Sequence, residues 1–274
     1  MIQDYIDVSG GRIFYTVSGS GDPLILIHGN FNDHQIWNEQ VDSLAAQYKV
    51  IRYDLRGYGL SSTPTAPFSN VDDLKALVDS LKLQNVTLVG SSLGGSVAVN
   101  FTLAYPGLVN ALILVSPSIN GRSYPMKMMW EGIRNFINTR LKGREKAIEA
   151  FIANPFWQYF FPSAGKDEAR NKVLHNVRNS SNFCRFSPNL STVIKPYAFN
   201  RLQEINIPIL TIISDQDHPF NITTAESLHA KMNRSFKTMM QGCGHLPFIE
   251  EPQLFNQHIL DFLGSKPKSV HDLK

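Results

Sequence analysis

The stretch LVGSSLGGSVAV, residues 88–99, decides the fold of this chain. Its first half is an apolar run typical of a strand buried on both faces, and its second half continues as a helix pattern. Gly90, Ser92 and Gly94 fit G-x-S-x-G at the junction. In so tight a turn, larger side chains two residues before and after the serine would collide, and Gly95 allows the helix to approach the strand. The pattern predicts an elbow that presents the Ser92 hydroxyl.

The same elbow offers a place for developing negative charge. The N–H of Leu93 lies at the predicted helix N-terminus, where the partial positive charge of the helix favours an anion. Ser91 is the weaker nucleophile candidate because Val89 and Leu93, two residues to either side of it, are not small. A glycine-rich turn with capping serines is the alternative interpretation of this motif.

Buried-strand patterns recur along the chain and alternate with helical ones. The strand patterns are GRIFYTV (11–17), PLILIHG (23–29), KVIRYDL (49–55), NVTLVGS (85–91), ALILVSP (111–117), PILTIIS (208–214) and residues 235–240. Between two of them, apolar residues recur at helical spacing over 71–81, with Ser69 and Asp72 placed to cap that helix. Strands that alternate with helices predict a mostly parallel central sheet flanked by helices.

This alternation stops after Pro117. Residues 118–200 carry helical stretches and the aromatic segment NPFWQYFFP (154–162) before strand patterns resume at Pro208. We therefore expect an α/β core made of residues 1–117 and 203–264, with residues 118–202 inserted as a helical unit. Residues 265–274 are predicted to be a polar C-terminal tail.

Composition bounds the class of protein and its partners. The 274 residues are 43% hydrophobic and carry a net charge of +3, which suits one α/β domain with a full core. We expect a small-molecule substrate and no nucleic-acid partner, and the oligomeric state stays open. A loose basic cluster is interpreted as a solvated helix face. It comprises Arg140, Lys142, Arg144 and Lys146.

Cysteine spacing and hydropathy give the remaining expectations. Cys184 and Cys243 are far apart, so neither a disulfide framework nor a zinc site is predicted. The N-terminal residues show no signal-peptide pattern, and no apolar run is long enough to span a membrane, which predicts a cytoplasmic protein. We expect no membrane partner, and a membrane-surface role for Met126–Trp130 is the less favoured interpretation of that stretch.

A serine nucleophile needs a base and an orienting acid. Among eight histidines, His245 is the best-placed base because it lies in a glycine-bounded loop after the last strand pattern. The acid is expected at a strand end, and the residues alone leave both Asp215 and Asp217 open. No Asp or Glu lies between Ser92 and Glu131, so no carboxylate directly follows the strand pattern over 111–117.

A second oxyanion donor is expected in the turn His28-Gly29-Asn30. Gly29 permits an open backbone turn after the strand, which would direct the N–H of Asn30 toward the site. We interpret His28 as a structural residue that bonds loop backbone. Leu93 and Asn30 are thus the predicted pair of oxyanion donors.

Taken together, these motifs resemble the α/β-hydrolase fold family over nearly the whole chain. The matching motifs are HGN, DLRGYGLSS (54–62), GSSLGG, SDQD and GCGHLPFIEEP, in the order Ser…Asp…His. The resemblance implies that Asp217 is the acid, because the family carries G-x-x-D after this strand and Ser214 takes the glycine position. It also implies that residues 118–202 form a cap over the pocket, and that Asp54 and Arg56 are structural.

The elbow residue separates subclasses of this family. Epoxide hydrolases and haloalkane dehalogenases place Asp there, whereas Ser92 suits acyl transfer. We predict a serine hydrolase that cleaves a small carboxylic ester or lactone through an acyl-enzyme, with no cofactor and no metal. C–C bond hydrolysis, perhydrolysis, a lyase step like that of the menaquinone-pathway member, and a non-catalytic ligand-binding role stay open as alternatives.

Substrate contacts are predicted from the aromatic residues near the proposed cap. The candidates are Phe31, Phe156, Trp157 and Phe160. The alternative interpretation is that those of the aromatic segment form the core of the cap itself.

Overall fold

One eight-stranded sheet organises the chain in a computed structural model that describes residues 1–265. Its strands are β1 (Ile2–Val8), β2 (Gly11–Ser18), β3 (Pro23–Ile27), β4 (Lys49–Tyr53), β5 (Val86–Ser91), β6 (Val109–Val115), β7 (Ile209–Ser214) and β8 (Ser235–Met240). Their order is β1-β2-β4-β3-β5-β6-β7-β8. The pairs β1–β2 and β2–β4 are antiparallel and all others are parallel, which confirms the predicted sheet. Of the predicted tail, residues 266–274 lie outside the described part.

The edge strand β1 was not predicted, and its burial explains why. Of its seven residues only Ile6 is buried, and Asp4 interrupts the alternation of Ile2, Ile6 and Val8. The strand therefore depends on pairing with β2. The predicted strands PLILIHG (23–29) and KVIRYDL (49–55) also extend beyond the observed strands at their C-terminal ends. The chain leaves the sheet after Ile27 and Tyr53, where the following residues turn to form loops at the strand ends.

Helices cover both faces of the sheet. They are α1 (Asn38–Ala45), α2 (Asn70–Ser80), α3 (Leu93–Ala104), α4 (Met126–Lys142), α5 (Arg144–Ala153), α6 (Asp167–Arg178), α7 (Pro219–Lys231), α8 (Pro247–Glu250) and α9 (Pro252–Gly264). The predicted cap of α2 is confirmed, since Ser69 Oγ accepts the Asp72 N–H at 3.1 Å. Within residues 1–265, no helix has the length and apolar character needed to cross a bilayer.

Alternation along β3 shows how the sheet separates two cores. Leu24 and Leu26 face one hydrophobic cluster, while Ile25 and Ile27 face the other, and all four are fully buried. Burial on both faces is what a central parallel strand requires, because helices lie above and below it. The continuous apolar runs in the sequence therefore correspond to the middle of the sheet.

Strand register brings three loops to one edge of the sheet. Ser91 at the end of β5 pairs with Val115, which pairs in turn with Ile212 of β7. The end of β7 pairs with the end of β8 through Ser214 and Met240. The loops after β5, β7 and β8 therefore leave from the carboxyl edge, where ligands bind in open α/β sheets.

Helices α4, α5 and α6, with short 3₁₀ turns, lie between β6 and β7 in the chain. Residues of α6 and of the turn after it contact the loop after β3. Phe31 of that loop stacks on Phe183 at 5.1 Å between ring centroids. The buried carboxylate of Asp33 accepts the side-chain amides of Asn176 at 2.8 Å and Asn182 at 2.9 Å. This helical segment is thereby anchored beside the carboxyl edge, while the predicted domain boundaries at residues 118 and 202 stay a prediction.

Candidate active site

A strained serine stands at the turn from β5 into α3. Ser92 has φ 51° and ψ −116°, a backbone conformation that non-glycine residues adopt only when their surroundings impose it. Its N–H donates to Val115 O at 3.0 Å, and its carbonyl accepts the N–H groups of Gly95 and Ser118, each at 3.0 Å. These bonds to α3 and to the residues after β6 hold the elbow from both sides.

The steric role predicted for the surrounding glycines is confirmed. A Cβ at Gly90 would overlap the backbone of Gly94, and a Cβ at Gly94 would overlap the carbonyl oxygen of Ile27. A Cβ at Gly95 would lie 2.7 Å from Pro117 Cβ. The helix can approach the sheet this closely only without these side-chain atoms, so the spacing of the motif is a packing requirement.

Gly94→Ala is expected to destabilise the protein by about 3 kcal/mol or more, because the new methyl group must displace β3 backbone rather than a mobile side chain. Gly132→Ala is the matched control, since Gly132 lies exposed in α4 with nothing within 4 Å of an added Cβ. That change should stabilise by up to about 1 kcal/mol through helix propensity. Thermal unfolding followed by circular dichroism compares them, and equal melting temperatures would contradict this account of the elbow.

The two adjacent serines differ in accessibility. Ser91 is buried, and its Oγ has no hydrogen-bond partner within residues 1–265. Ser92 is only half-buried, so its hydroxyl is the one that a substrate can reach. This placement favours Ser92 over Ser91 as the reacting hydroxyl.

The loops after β7 and β8 bring a carboxylate and an imidazole together. Asp217 Oδ2 lies 2.9 Å from His245 Nδ1, and both side chains are buried. The other oxygen, Oδ1, accepts the N–H of His218 at 2.6 Å and the side-chain amide of Asn221 at 2.8 Å. With Oδ1 saturated, Oδ2 faces the imidazole, and a proton on Nδ1 leaves Nε2 free to act as a base.

Asp215 occupies a different position from Asp217. Its Oδ1 accepts the N–H of Cys243 at 3.3 Å, and the next residue, Gln216, donates its N–H to Cys243 O at 2.9 Å. Asp215 therefore ties the loop after β7 to the loop that carries His245. Of the two acids left open by spacing, the structure places only Asp217 against the imidazole.

Ser92 is not hydrogen-bonded to His245 within residues 1–265, although both lie at the same sheet edge. The Ser92 side chain instead closely approaches the turn after β3, since a Cβ on Gly29 would lie 2.9 Å from Ser92 Cβ. Catalytic hydrogen bonds are often long before substrate binds and shorten in the reacting complex. The geometry thus places the Ser92 side chain beside the predicted oxyanion turn.

The predicted oxyanion donors, Asn30 and Leu93, lie at the turn after β3 and at the first residue of α3. Within residues 1–265 neither of their backbone N–H groups donates to a protein acceptor. The Asn30 side chain is held by the Tyr58 hydroxyl, which donates to its Oδ1 at 2.7 Å. An unoccupied N–H beside the serine is the arrangement that an oxyanion requires.

His28 is structural, as predicted. Its Nδ1–H donates to Gly29 O at 2.8 Å and its Nε2 accepts the Leu55 N–H at 2.9 Å, which assigns the neutral tautomer. Burial lowers the pKa of His28, and this effect outweighs the opposing charge of Asp54. Both ring nitrogens are committed to backbone, so His28 shapes the turn that carries Asn30.

Asp33, His34 and Asp54 have ligand atoms close enough to share a cation, among the residues described. Asp54 already accepts three donors, namely His34 N–H at 2.7 Å, His34 Nδ1–H at 2.8 Å and Leu60 N–H at 2.8 Å. Burial raises the pKa of the Asp54 carboxyl, but bonding to His34 and its charge more than offset that effect. We interpret this cluster as a hydrogen-bond network that fixes two loops.

Arg56 belongs to the same structural region. It forms a buried ion pair with Asp73 of α2, with Nε 2.9 Å from Oδ2. Its Nη1 also donates to Ser9 O. This placement agrees with a structural role for the motif that contains Asp54 and Arg56, because both side chains are satisfied away from Ser92.

The aromatic candidates divide by position. Phe160 lies 5.8 Å from His245 between ring centroids, so it borders the proposed base. Trp157 is buried between Phe31 and Phe151, at centroid distances of 6.2 and 5.3 Å. Phe156 is half-buried and lies 5.7 Å from the ring of His218. Phe160 is therefore the best placed to touch a substrate, and Trp157 lies mainly in the core of the helical segment.

Three further residues support the site, and of these the sequence pointed to Tyr159 alone, as one ring of the aromatic segment. Asn221 donates to Asp217 from four residues further on, in the first turns of α7. Tyr159 accepts the His245 N–H on its backbone oxygen at 3.2 Å and packs its ring 5.8 Å from that imidazole. Tyr58, inside the predicted DLRGYGLSS loop, fixes Asn30. For Asn221, the i, i+4 spacing from Asp217 is the signal that could have indicated its role.

Burial controls the ionisation of groups around the imidazole. Burial foremost, and then the Asp217 carboxylate, raise the pKa of Tyr159, so this phenol stays neutral beside the site. Burial likewise lowers the pKa of His218, which keeps a second positive charge away from His245. His245 is therefore the imidazole whose positive charge the Asp217 carboxylate can stabilise.

Comparison with known proteins agrees with this architecture. A family model described as "alpha/beta hydrolase fold" matches residues 22–252. A putative 2-succinyl-6-hydroxy-2,4-cyclohexadiene-1-carboxylate synthase of Bacillus subtilis is 26% identical, covering 95% of this chain and 98% of its own. A 2-hydroxy-6-oxononadienedioate/2-hydroxy-6-oxononatrienedioate hydrolase of Paraburkholderia xenovorans is 30% identical, covering 92% and 91%. The crystal structure of esterase RhEst1 from Rhodococcus superposes with a TM-score of 0.81 at 25% identity, covering 97% and 99%.

Proposed function

Because this chain belongs to the α/β-hydrolase fold family, we propose that it hydrolyses a small carboxylic ester or lactone through an acyl-enzyme on Ser92. The observation that carries the proposal is the buried pair of Asp217 and His245, 2.9 Å apart, at the sheet edge where the Ser92 elbow also lies. Similar chains named as a hydrolase and an esterase support a hydrolytic reaction.

The first half of the reaction forms the acyl-enzyme. Ser92 Oγ attacks the carbonyl carbon while Nε2 of His245 removes the hydroxyl proton. Asp217 keeps the other proton on Nδ1 and stabilises the imidazolium that results. The tetrahedral intermediate collapses when the bond to the alkoxy oxygen breaks, and His245 returns the proton to the leaving alcohol. For a lactone, that alcohol stays attached to the acyl group.

The second half releases the acid. A water molecule gives a proton to His245 as its oxygen attacks the acyl carbon, and the same imidazole then protonates Ser92 Oγ as the ester bond breaks. In both halves the negative oxygen is held by the N–H groups of Asn30 and Leu93. Removal of one such donor in a serine hydrolase costs roughly 10²- to 10³-fold in rate.

The surroundings of His245 favour an apolar acyl group. The rings of Tyr159 and Phe160 pack against the imidazole, and burial keeps the Tyr159 phenol uncharged. Phe31, next to the oxyanion residue Asn30, extends this wall toward Phe160 at 6.0 Å between centroids. Each substrate methylene that is buried against these aromatic rings contributes about 0.8 kcal/mol to binding.

Phe160→Ala is expected to change the preferred acyl length, because the void beside His245 admits a longer chain. Each additional buried methylene is worth about fourfold in kcat/KM at that free energy. Phe161→Ala is the matched control, since Phe161 is also buried but its ring packs on Phe151 and Phe160, at 5.6 and 5.4 Å between centroids, instead of on His245. Kinetics on p-nitrophenyl acetate, butyrate and octanoate test this, and identical profiles for both variants would show that Phe160 is merely core.

The proposal as a whole is tested by the purified protein acting on short acyl esters and on lactones. Turnover of at least one of these substrates, with release of the free acid, is the expected result. A folded protein that turns over neither class contradicts the proposed reaction. If such a protein still bound an ester without cleaving it, a ligand-binding role would replace the enzymatic one.

A further inference from the structure

Helix α4 lies on the protein with its polar side inward. Its buried residues are Met128, Glu131 and Asn135, two of which are polar. An exposed row of apolar side chains, hereafter the apolar stripe, covers the opposite face. It consists of Met126, Met129, Trp130, Ile133, Ile137 and Leu141. Amphipathic helices of globular proteins normally bury the apolar face, so this orientation is inverted.

Specific contacts hold α4 in that orientation. The buried carboxylate of Glu131 accepts the side-chain amide of Asn154, which follows α5, at 2.7 Å. Glu131 also faces Arg134 on its own helix at 3.4 Å. Rotation of α4 to bury the apolar stripe would strip the carboxylate of this amide partner. The outward direction of the stripe is therefore built into the packing of α4 on α5.

Exposure along the apolar stripe is large at both ends and in the middle. Met126 is 85% exposed, Trp130 64% and Leu141 78%. Contiguous apolar rows of this kind on a protein surface mark sites of interaction, whereas single exposed apolar residues need no explanation. The stripe therefore calls for a partner with an apolar interior.

The charges around the stripe specify that partner. Helix α4 carries Lys127, Arg134, Arg140 and Lys142, while its single acidic residue, Glu131, is buried. We propose that α4 docks the protein on the surface of an anionic lipid bilayer. The apolar stripe inserts among the acyl chains next to the headgroups, and the exposed Lys127, Arg134 and Arg140 contact lipid phosphates. A helix that lies in the interface in this way needs no membrane-spanning segment.

A second copy of the chain fits the stripe less well. The 17-residue helix is about 25 Å long and about 10 Å wide, a footprint on the order of 250 Å². Stable protein interfaces bury roughly 800 Å² on each partner. Pairing two copies of α4 would also bring the same cations together, and like charges at an interface oppose association. Area and charge thus both favour lipid.

The proposal goes beyond the proposed reaction and does not depend on it. It replaces the expectation that the protein has no membrane partner, under which a membrane-surface role for Met126–Trp130 was the less favoured interpretation. Periodicity in that stretch indicates a helix, but it cannot show which face the rest of the protein covers.

Tryptophan fluorescence of the full chain tests docking directly. Trp37 is fully buried and Trp157 is 7% exposed, so Trp130 is the tryptophan whose surroundings a bilayer would change. Titration with vesicles of phosphatidylglycerol and phosphatidylcholine should shift the emission to the blue, and added salt should weaken the effect. Trp130→Phe should remove the shift but retain sedimentation with the vesicles.

A double substitution in the stripe supplies the second test. Ile133→Gln with Ile137→Gln is expected to reduce vesicle sedimentation at least about tenfold, because both side chains lose apolar contact with the bilayer. The matched control is Phe236→Gln with Leu254→Gln, two exposed apolar residues on β8 and α9. Circular dichroism confirms that both variants fold, and the control should sediment like wild type.

Four results would overturn the proposal. One is the absence of binding to anionic vesicles by the wild-type protein, and another is equal binding by the stripe variant. The third is binding to pure phosphatidylcholine that matches binding to anionic vesicles, since the cations would then have no role. The fourth is a dimer, detected by sedimentation equilibrium, that the stripe variant dissociates, since the stripe would then belong to an interface with a second copy.

Discussion

Ser92→Ala is expected to lower kcat for a short acyl ester by roughly 10⁶-fold, the scale seen when a serine protease loses its nucleophile. In the proposed reaction this hydroxyl forms the acyl bond, so the remaining rate would come from the oxyanion turn and substrate binding. The substitution removes one oxygen from a half-buried side chain and retains every backbone bond of the elbow. Initial rates on a p-nitrophenyl ester, with circular dichroism to confirm folding, measure this effect.

Ser91→Ala is the matched control for that measurement. Its hydroxyl is buried and has no partner within residues 1–265, so its loss should change neither activity nor stability by much. If Ser91→Ala loses as much activity as Ser92→Ala, the loss in Ser92→Ala does not come from a missing nucleophile. That result would contradict the assignment of Ser92.

Asp217→Asn is expected to lower kcat by about 10⁴-fold, because an amide at this position favours the wrong histidine tautomer. In the wild-type protein, Asp217 Oδ2 accepts a hydrogen bond from the Nδ1–H of His245. An amide that turned its nitrogen to the ring would require Nδ1 to accept and would place the proton on Nε2, where it blocks the base. The pH dependence of kcat and of KM, measured separately for wild type and variant, reports this change of tautomer.

Asp215→Asn separates the catalytic role from the loop-holding role. Its carbonyl oxygen can still accept the Cys243 N–H that Asp215 accepts now, so the His245 loop should keep its place. We expect activity within about tenfold of wild type, since only a neutral hydrogen bond replaces a charged one. A larger loss in Asp215→Asn than in Asp217→Asn, with both proteins folded, would reverse the assignment of the acid.

The elbow and the parallel strands could be predicted because their requirements are local. Gly90 and Gly94 must lack side chains for reasons set by the adjacent backbone, and that constraint is written in the spacing of the motif. Buried strands such as β3 need apolar residues on both faces, which produces a continuous run. In contrast, β1 has one buried residue and forms only because β2 offers it a partner.

Other features depend on contacts between distant segments. The hydrogen bond between Glu131 and Asn154 sets the orientation of α4. The helix itself could be predicted from the periodicity of its apolar residues, but the outward direction of its apolar face could not. Asn221 supports Asp217 only because α7 begins directly after the β7 loop. Phe160 and Trp157 belong to one aromatic segment, and only the packing shows that one ring borders His245 while the other lies mainly in the core.

Nucleophilic attack by Ser92 is tested by peptide-resolved mass spectrometry of the protein after reaction with a fluorophosphonate, in which a serine oxygen displaces fluoride from phosphorus. The proposed acyl-enzyme mechanism requires one adduct, on Ser92, that forms much more slowly in His245→Ala because the base is missing. An adduct on Ser91 or Cys243, or a folded protein that stays unlabelled, would contradict it.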